Sequence, residues 1–236
     1  ASNPIQALAA QGNFLYTAHG SRGLQVYDIN NPINPIWATG LDLPGVAQDI
    51  AVNGKHAYIA MGDAGIAVAN IANPFQVRWS SGLSSVTTAT RVRVNDHRLV
   101  ATDTDTLYLV NAQDPQHLRL VKRLGYQLHD LWLNGATLLL SSKRDGLLVF
   151  DINDLDSPQL LTRYAQHNEY RTVRSQDNLI ALVVTGQGVQ LLKHDAKQVT
   201  ELAFIHHSQA IQDIQFLGED LYIASEESGL HRVSLQ

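Results

Sequence analysis

The chain has 236 residues, of which 44% are hydrophobic and 17% charged, and its formal net charge is −5 at pH 7. This composition is typical of a globular protein and gives no broad basic surface, so no nucleic acid partner is expected. The absence of cysteine excludes disulfides, thiolate metal sites and a cysteine nucleophile. No apolar run reaches the length of a membrane span, so direct membrane insertion is not expected either.

A unit of roughly 41 residues recurs along the chain. The small residues that begin one apolar strand recur at intervals of 42, 41, 40, 42 and 41 residues: Gly23, Gly65, Thr106, Gly146, Gly188 and Gly229. They define six copies within one predicted domain, residues 1–236: 5–44, 45–88, 89–127, 128–168, 169–209 and 210–236. A fixed period in this range indicates a repeat architecture.

The second copy shows the plan of the repeat most clearly, with short apolar runs bounded by turn residues. Strands a to d are predicted at residues 49–52, 57–60, 66–71 and 77–79, and Asn53-Gly54 forms the turn between the first two. A sheet that is apolar on both faces needs neighbours on both sides, which radial repetition supplies. The predicted fold class is therefore all-β, a six-bladed β-propeller of four-stranded antiparallel blades.

Five copies contain a fourth, outer strand, near residues 36–38, 77–79, 118–120, 159–161 and 199–202, and the sixth copy does not. The last blade is therefore expected to have three strands. Its outer edge would expose unpaired backbone groups along the interface candidates Gly229, Leu230, His231, Arg232 and Val233. We expect a protein partner or a flanking domain of the same polypeptide to cover this edge, the alternative being pairing by residues 1–5.

Three stretches carry a family resemblance: Gly23-Leu24-Gln25-Val26-Tyr27-Asp28-Ile29, Gly65-Ile66-Ala67-Val68-Ala69-Asn70-Ile71 and Gly146-Leu147-Leu148-Val149-Phe150-Asp151-Ile152. They resemble the LVIVD repeat of bacterial and archaeal surface proteins. The resemblance implies a propeller in a secreted or surface-displayed protein, with no common catalytic activity. Localisation in the periplasm or at the cell surface is the corresponding expectation, and a start at Ala1-Ser2-Asn3-Pro4 indicates a processed protein or a domain of a longer chain.

Polar residues that repeat in register are interpreted as structural. Asp49, Asp130 and Asp213 open strand a in alternate copies, where a carboxylate would accept backbone N–H groups. Asp28 and Asp151, with Asn70 and Asn111 in the same column, are expected to cap the turn between strands c and d.

Departures from these columns are the candidates for function. Copies three and five place Arg91, Arg93, Arg171 and Arg174 in strand a, and copy four offers His129 and Asp130. If strand a lines a channel, Arg91 and Arg171 would lie at one mouth, with Lys143 and Arg144 on the same face, where they suit a carboxylate or phosphate ligand. The alternative is that Arg91 and Arg171 pair with the column aspartates and have a structural role.

Metal and catalytic motifs are weak. Asp103 and Asp105 lie two residues apart in a predicted turn and are a minor candidate for calcium; otherwise no cofactor is expected. No nucleophile elbow, phosphate loop or dinucleotide fingerprint is present.

Two functions remain open. The first is a noncatalytic protein-binding or scaffold module of an extracytoplasmic bacterial protein, with Trp37 and Trp79 on outer strands as contact candidates. The second is a channel-mouth lyase or hydrolase for an anionic substrate, in which the arginines hold the anion, His129 acts as base and Asp130 orients it.

Overall fold

A computed structural model describes residues 4–164, 169–195 and 198–235. Within these residues the chain is all-β, with five four-stranded antiparallel sheets followed by one of three strands. These sheets are the blades of a six-bladed β-propeller, so the predicted fold class and the three-stranded last blade are both confirmed. The chain divides into two compact units, Ala1–Tyr126 and Gln127–Gln236, each with three blades. No helix suited to crossing a bilayer occurs in the described part of the chain.

The first unit contains blades 1 to 3, and in each of them consecutive strands are hydrogen-bonded neighbours. Its strands are β1 (Ala7–Gln11), β2 (Phe14–Ala18), β3 (Leu24–Asp28), β4 (Ile36–Leu41), β5 (Asp49–Asn53), β6 (His56–Ala60), β7 (Ile66–Asn70), β8 (Arg78–Leu83), β9 (Arg91–Asn95), β10 (Arg98–Thr102), β11 (Thr106–Asn111) and β12 (Arg119–Gly125).

The second unit contains blades 4 to 6 with the same strand order. Its strands are β13 (Leu128–Asn134), β14 (Thr137–Ser142), β15 (Gly146–Asp151), β16 (Gln159–Tyr164), β17 (Tyr170–Gln176), β18 (Leu179–Val184), β19 (Gly188–His194), β20 (Val199–His206), β21 (Ile211–Leu217), β22 (Asp220–Ser225) and β23 (Gly229–Ser234).

The turn between strands a and b has the same conformation in all six blades. One residue of each turn has a φ between 50° and 60°: Gly12, Gly54, Asp96, Gly135, Asp177 and Gly218. Aspartate tolerates this left-handed region better than most side chains, because its short polar group can bond locally. Copy five, which lacks a glycine here, therefore keeps the turn through Asp177.

The small residues that define the repeat lie at equivalent places, at or just before the start of strand c. Gly23, Gly65, Gly146 and Gly229 have φ values between 68° and 80°, a region that suits glycine. A Cβ on Gly23 would lie 2.3 Å from the carbonyl oxygen of Leu41 in the outer strand. The glycine is therefore required both by its own backbone and by the close approach of strand d.

The turns between strands c and d are capped as the sequence predicted. The Oδ1 atoms of Asp28, Asn70, Asn111 and Asp151 each accept the backbone N–H two residues later, at 2.7 to 2.9 Å. In each of blades 1 to 5 the pairing of strands c and d also contains a register shift. The outer strand is therefore attached in the same irregular register throughout.

Alternate residues of the inner strands pack against opposite neighbouring blades. In β6, Ile59 lies in the cluster shared with blade 1, and Tyr58 lies in the cluster shared with blade 3. In β18, Leu182 packs towards blade 4 and Val183 towards blade 6. Because both faces are buried, strands b and c read as continuous apolar runs.

Candidate functional site

The carboxylate of Asp49 joins blade 2 to blade 3. Its Oδ2 accepts the backbone N–H of Val92 at 2.9 Å and Nη1 of Arg93 at 2.6 Å, and its Oδ1 accepts the N–H of Ile50 at 2.9 Å. The same Nη1 also donates to the carbonyl oxygen of Val92 at 2.6 Å. The expectation that the aspartate column accepts backbone N–H groups is confirmed at this position.

The same arrangement recurs between blades 4 and 5. Oδ2 of Asp130 accepts the N–H of Val173 at 3.2 Å and Nη1 of Arg174 at 2.6 Å. Nη2 of Arg174 also donates to Oδ1 of Asp213 in blade 6 at 2.7 Å. Only 2% of the Asp130 side chain and 10% of the Arg174 side chain are exposed, so this ion pair is buried and fixes the position of three blades.

These ion pairs decide which arginines are structural. Arg93 and Arg174 engage the column aspartates. Arg91 and Arg171 are both exposed: Arg91 lies at the start of β9 in the first unit, and Arg171 lies in β17 of the second. Because Asp130 is committed to Arg174, its carboxylate does not orient His129 as the enzymatic alternative requires.

His129 lies beside a different carboxylate. Its Nε2 is 3.3 Å from Oε1 of Glu169, and 21% of its side chain is exposed. Burial lowers the pKa of His129; Glu169 acts against this, and the positive charges of Lys143 and Arg171 add to it, leaving the pKa below its ordinary value of 6.5. Three of the predicted residues, His129, Lys143 and Arg171, therefore lie in neighbouring elements of the second unit: β13, the turn after β14, and β17.

Two of these residues occupy β-bulges. The pairing of β13 with β14 shifts between Leu128 and Asp130, so His129 has no opposite residue. The pairing of β17 with β18 shifts in the same way around Arg171. A bulge redirects the side chain of the extra residue and is common beside functional sites.

Arg144 follows Lys143 in the turn between β14 and β15 and is exposed. Its backbone N–H donates to Oγ of Ser142 at 3.3 Å, and the next residue, Asp145, forms an ion pair with Arg163 at 3.3 Å. This turn therefore has its own hydrogen bonds, and the backbone N–H of Lys143 donates to the carbonyl oxygen of Gln127, the residue before β13.

Asp103, the minor calcium candidate, has both carboxylate oxygens occupied. Oδ1 accepts the N–H groups of Asp105 and Thr106, and Oδ2 accepts the hydroxyls of Thr88 at 2.7 Å and Tyr108 at 3.0 Å. Burial raises the pKa of this carboxyl group, but the four hydrogen bonds outweigh burial and leave the pKa lowered. The bonds from Asp105 and Thr106 to Oδ1 are those of a turn. No group of three or more potential metal ligands gathers among the described residues.

A cavity of about 790 Å³ opens in the first unit, next to this turn. Its described lining includes Asp63, Asp103 and Asp105, several threonines and small apolar residues, and contains no lysine, arginine or histidine. An acidic lining does not suit the anionic ligand that the sequence predicted.

The edge of β23 is the second candidate site. Strand β23 pairs with β22 alone among the described residues. Gly229, Leu230 and Arg232 are exposed, Leu230 by 68%, and His231 and Val233 are half-buried. The corresponding strand β15 of blade 4 is buried over five of its six residues, so the exposure of β23 follows from the missing outer strand.

Trp37 and Trp79 occupy equivalent positions in β4 and β8, the outer strands of blades 1 and 2. They are 58% and 43% exposed, and Nε1 of Trp37 donates to Oε1 of Gln25 at 2.9 Å. Both indoles therefore remain accessible as contact residues on the first unit.

Glu169 is the residue that the sequence analysis missed. It precedes β17 and lies outside the repeated columns, so no comparison between copies could select it. The role of Arg93 and Arg174 did have a signal: each follows a column aspartate by 44 residues. Strand a carries an aspartate in blades 2 and 4 and an arginine in blades 3 and 5, and this alternation predicts both ion pairs.

The fold defines the protein as a β-propeller built from tandem repeats. Residues 5–40 and 44–78 match the model of the LVIVD repeat. This match covers most of the first two copies and confirms there the resemblance to the LVIVD repeat that was inferred from the sequence.

Solved structures share the fold at low sequence identity. The computationally designed Ika8 protein matches 100% of this chain and 85% of its own, with a TM-score of 0.70 and 16% identity. Sqt1 of Saccharomyces cerevisiae matches 100% of this chain and 83% of its own, with a TM-score of 0.72 and 10% identity. These likenesses concern the fold alone. No curated protein sequence matches.

Proposed function

We propose that this propeller is a noncatalytic protein-binding or scaffold module of an extracytoplasmic bacterial protein. In this proposal β23 receives an added strand from a protein partner or from a flanking domain of the same polypeptide. The periplasmic or cell-surface location rests on the resemblance to the LVIVD repeat of surface proteins. The observation that carries the binding role is the open edge of β23, because an unpaired strand edge is a template for strand addition.

Gly229 has the same backbone conformation as the equivalent glycines of blades 1 and 2, where strand c is paired with an outer strand. Its φ of 76° lies within the range of Gly23 and Gly65. A Cβ built on Gly23 or Gly65 would lie 2.3 Å from a carbonyl oxygen of the outer strand, whereas a Cβ on Gly229 meets nothing within 4 Å. Among the described residues, no atom therefore takes the place of that carbonyl in blade 6.

The five complete blades define how the added strand would bind. Their outer strands are six to eight residues long and antiparallel to strand c. Each pairing includes a register shift after the first residues of strand c. An extended segment of this length would supply main-chain hydrogen bonds, and contact with Leu230 would add apolar burial.

A peptide with the sequence of β20, Val199–His206, is a suitable probe because it already pairs with strand c of blade 5. Added to the whole chain, it is expected to slow hydrogen exchange of the β23 amides. Gly229→Ala provides the discriminating variant: its Cβ would collide with the carbonyl of a bound strand, as at Gly23, so binding should be lost while blade 6 remains folded.

A peptide with proline at the positions of Leu202 and Phe204 is the matched control, because proline cannot donate to a strand ladder and restricts the residue before it. Slowing of exchange by both peptides would show non-specific contact and contradict the proposal. So would β23 amides that exchange as slowly, before any peptide is added, as those of β15. Exchange slowed in proportion to protein concentration would instead identify a second copy as the occupant and would contradict the proposed partner.

A further inference from the structure

Two of the three bulge residues in strand a of the second unit are positive or ionisable, and the third, Gln212 of blade 6, is neutral. His129 and Arg171 occupy this position in blades 4 and 5. The residues that directly precede strand a in the first unit are neutral at the corresponding position: Gln6, Gln48 and Thr90. A charge that appears in neighbouring blades and is absent from the rest of its column is not required by the fold.

Lys143 lies next to this pair. Its backbone N–H donates to the carbonyl oxygen of Gln127 at 2.8 Å. Gln127 precedes His129 by two residues, so this bond holds Lys143 beside the start of β13. Strand β17, which contains Arg171, packs against β13, which contains His129. The positive charges of Lys143 and Arg171 also lower the pKa of His129. Two strands and one turn of the second unit therefore bring three nitrogen-bearing side chains to one place.

Lys143 and Arg171 differ from the structural arginines in having no counter-ion in the described part of the chain. Arg93, Arg163 and Arg174 each form an ion pair with an aspartate. Within residues 4–164, 169–195 and 198–235, no carboxylate lies within 4.0 Å of the charged groups of Lys143 or Arg171. Arg171 is held in a strand and Lys143 in a hydrogen-bonded turn, so both exposed cations are available to a ligand.

Glu169 shows where a ligand oxygen can lie. Its Oε1 is 3.3 Å from Nε2 of His129, and its side chain is 63% exposed, so this carboxylate is held weakly. A carboxylate or phosphate from solution could take the same place and gain contacts with Lys143 and Arg171.

We propose that His129, Lys143 and Arg171 form a binding site for the carboxylate or phosphate group of a small molecule, and that Glu169 occupies this site when no ligand is bound. The site requires no chemical step and does not depend on strand addition at β23. It goes beyond the proposed binding module, and it keeps from the enzymatic alternative the anion held by Arg171 while assigning no catalytic step.

The test uses the whole chain with two probes, inorganic phosphate and malonate, at constant ionic strength because salt screens exposed charges. Binding is followed by the ring resonances of His129 and by calorimetry. Arg171→Ala and Lys143→Ala are each expected to weaken binding about tenfold, since each removes a hydrogen bond from a charged donor. Glu169→Gln is expected to tighten binding about threefold or more, because it removes the competing charge.

The opposite signs of these effects separate a ligand site from a structural cluster. Lys193→Ala removes an exposed lysine of β19 in the same unit and is the control, expected to leave affinity unchanged. Binding of phosphate alone would assign the site to phosphate, and binding of malonate alone to carboxylates; both results support the site. Absence of binding by the unmodified chain and by Glu169→Gln at millimolar probe would overturn it, as would weaker binding by Glu169→Gln or unchanged binding by Arg171→Ala.

Discussion

Arg174 and Asp130 are joined by a 2.6 Å hydrogen bond between blades 5 and 4, at a separation of 44 residues that also separates Arg93 from Asp49. In both pairs the aspartate also accepts the backbone N–H of the residue before the arginine. The carboxylate therefore holds a strand of the next blade by its main chain and by its side chain at once.

Loss of Arg174 should strongly destabilise the second unit. Asp130 is 2% exposed, so Arg174→Ala would leave a buried charge without its partner and lower the free energy of unfolding by about 3 to 5 kcal/mol. Arg163→Ala removes a surface ion pair with Asp145 and should cost about 1 kcal/mol or less. Urea denaturation of both variants gives the comparison, and equal losses would show that burial of the Arg174 pair has no special role.

Gly65→Ala and Gly229→Ala separate backbone strain from collision with the outer strand. Both positions have a positive φ, so each variant incurs about 1 to 2 kcal/mol of strain. A Cβ at residue 65 would also lie 2.3 Å from the carbonyl oxygen of Leu83, and one at residue 229 meets nothing within 4 Å. Thermal unfolding should therefore rank Gly65→Ala as the less stable variant. The reverse order would mean that the edge of blade 6 is already occupied.

Stability should fall as the pH falls through the histidine range. Burial is the largest cause that lowers the pKa of His56, His129 and His194 below 6.5. Between the lowered pKa and 6.5 the unfolded chain binds more protons than the folded chain, so stability rises with pH across this window and is lost on acidification. The melting temperature should decrease from neutral pH downwards, and replacement of the three residues by glutamine should make this decrease smaller. An unchanged slope in the triple variant would contradict the assignment.

Tyr108 should help to keep Asp103 ionised. Its hydroxyl lies 3.0 Å from Oδ2 and is one of four hydrogen bonds that lower the pKa of this carboxyl group. Tyr108→Phe should raise the pKa, which NMR titration of the carboxyl carbon measures directly. A carboxyl group with a lowered pKa stabilises the fold above pH 3.8, and this stabilisation is lost as the pH falls through the folded pKa. Tyr108→Phe should therefore lose less stability than the unmodified chain as the pH falls below 3.8. Tyr222→Phe, in the other unit, is the control and should leave Asp103 unchanged.

The repeat made most of the fold predictable. Glycine at one column and apolar runs on either side determined the strand plan, because both features are local in sequence. Copy five was predicted from its apolar register alone, and the structure shows why its turn survives: Asp177 takes the conformation that glycine has elsewhere. The column of Asp28 and Asp151 predicted the caps for the same reason, since each bond spans two residues.

The candidate sites were less predictable because their contacts join different copies. The grouping of His129 with Lys143 and Arg171 followed from aligned strands, but Glu169 lies outside the alignment and could be found only in three dimensions. Likewise the bulges at His129 and Arg171 depend on how strand a pairs with strand b, which residue order alone does not determine.

Strand a carries aspartate and arginine in alternate blades from blade 2 to blade 6, so one blade cannot replace its neighbour without loss of an ion pair. Asp130 of blade 4 needs the arginine of blade 5, and that arginine also needs Asp213 of blade 6. Grafting the first strand of blade 4 into blade 5 would place aspartates side by side with no cation between them. A design that shortens or lengthens this protein should therefore remove or insert two blades at a time. Gene duplication that preserved the ion pairs would likewise have had to copy a unit of two blades.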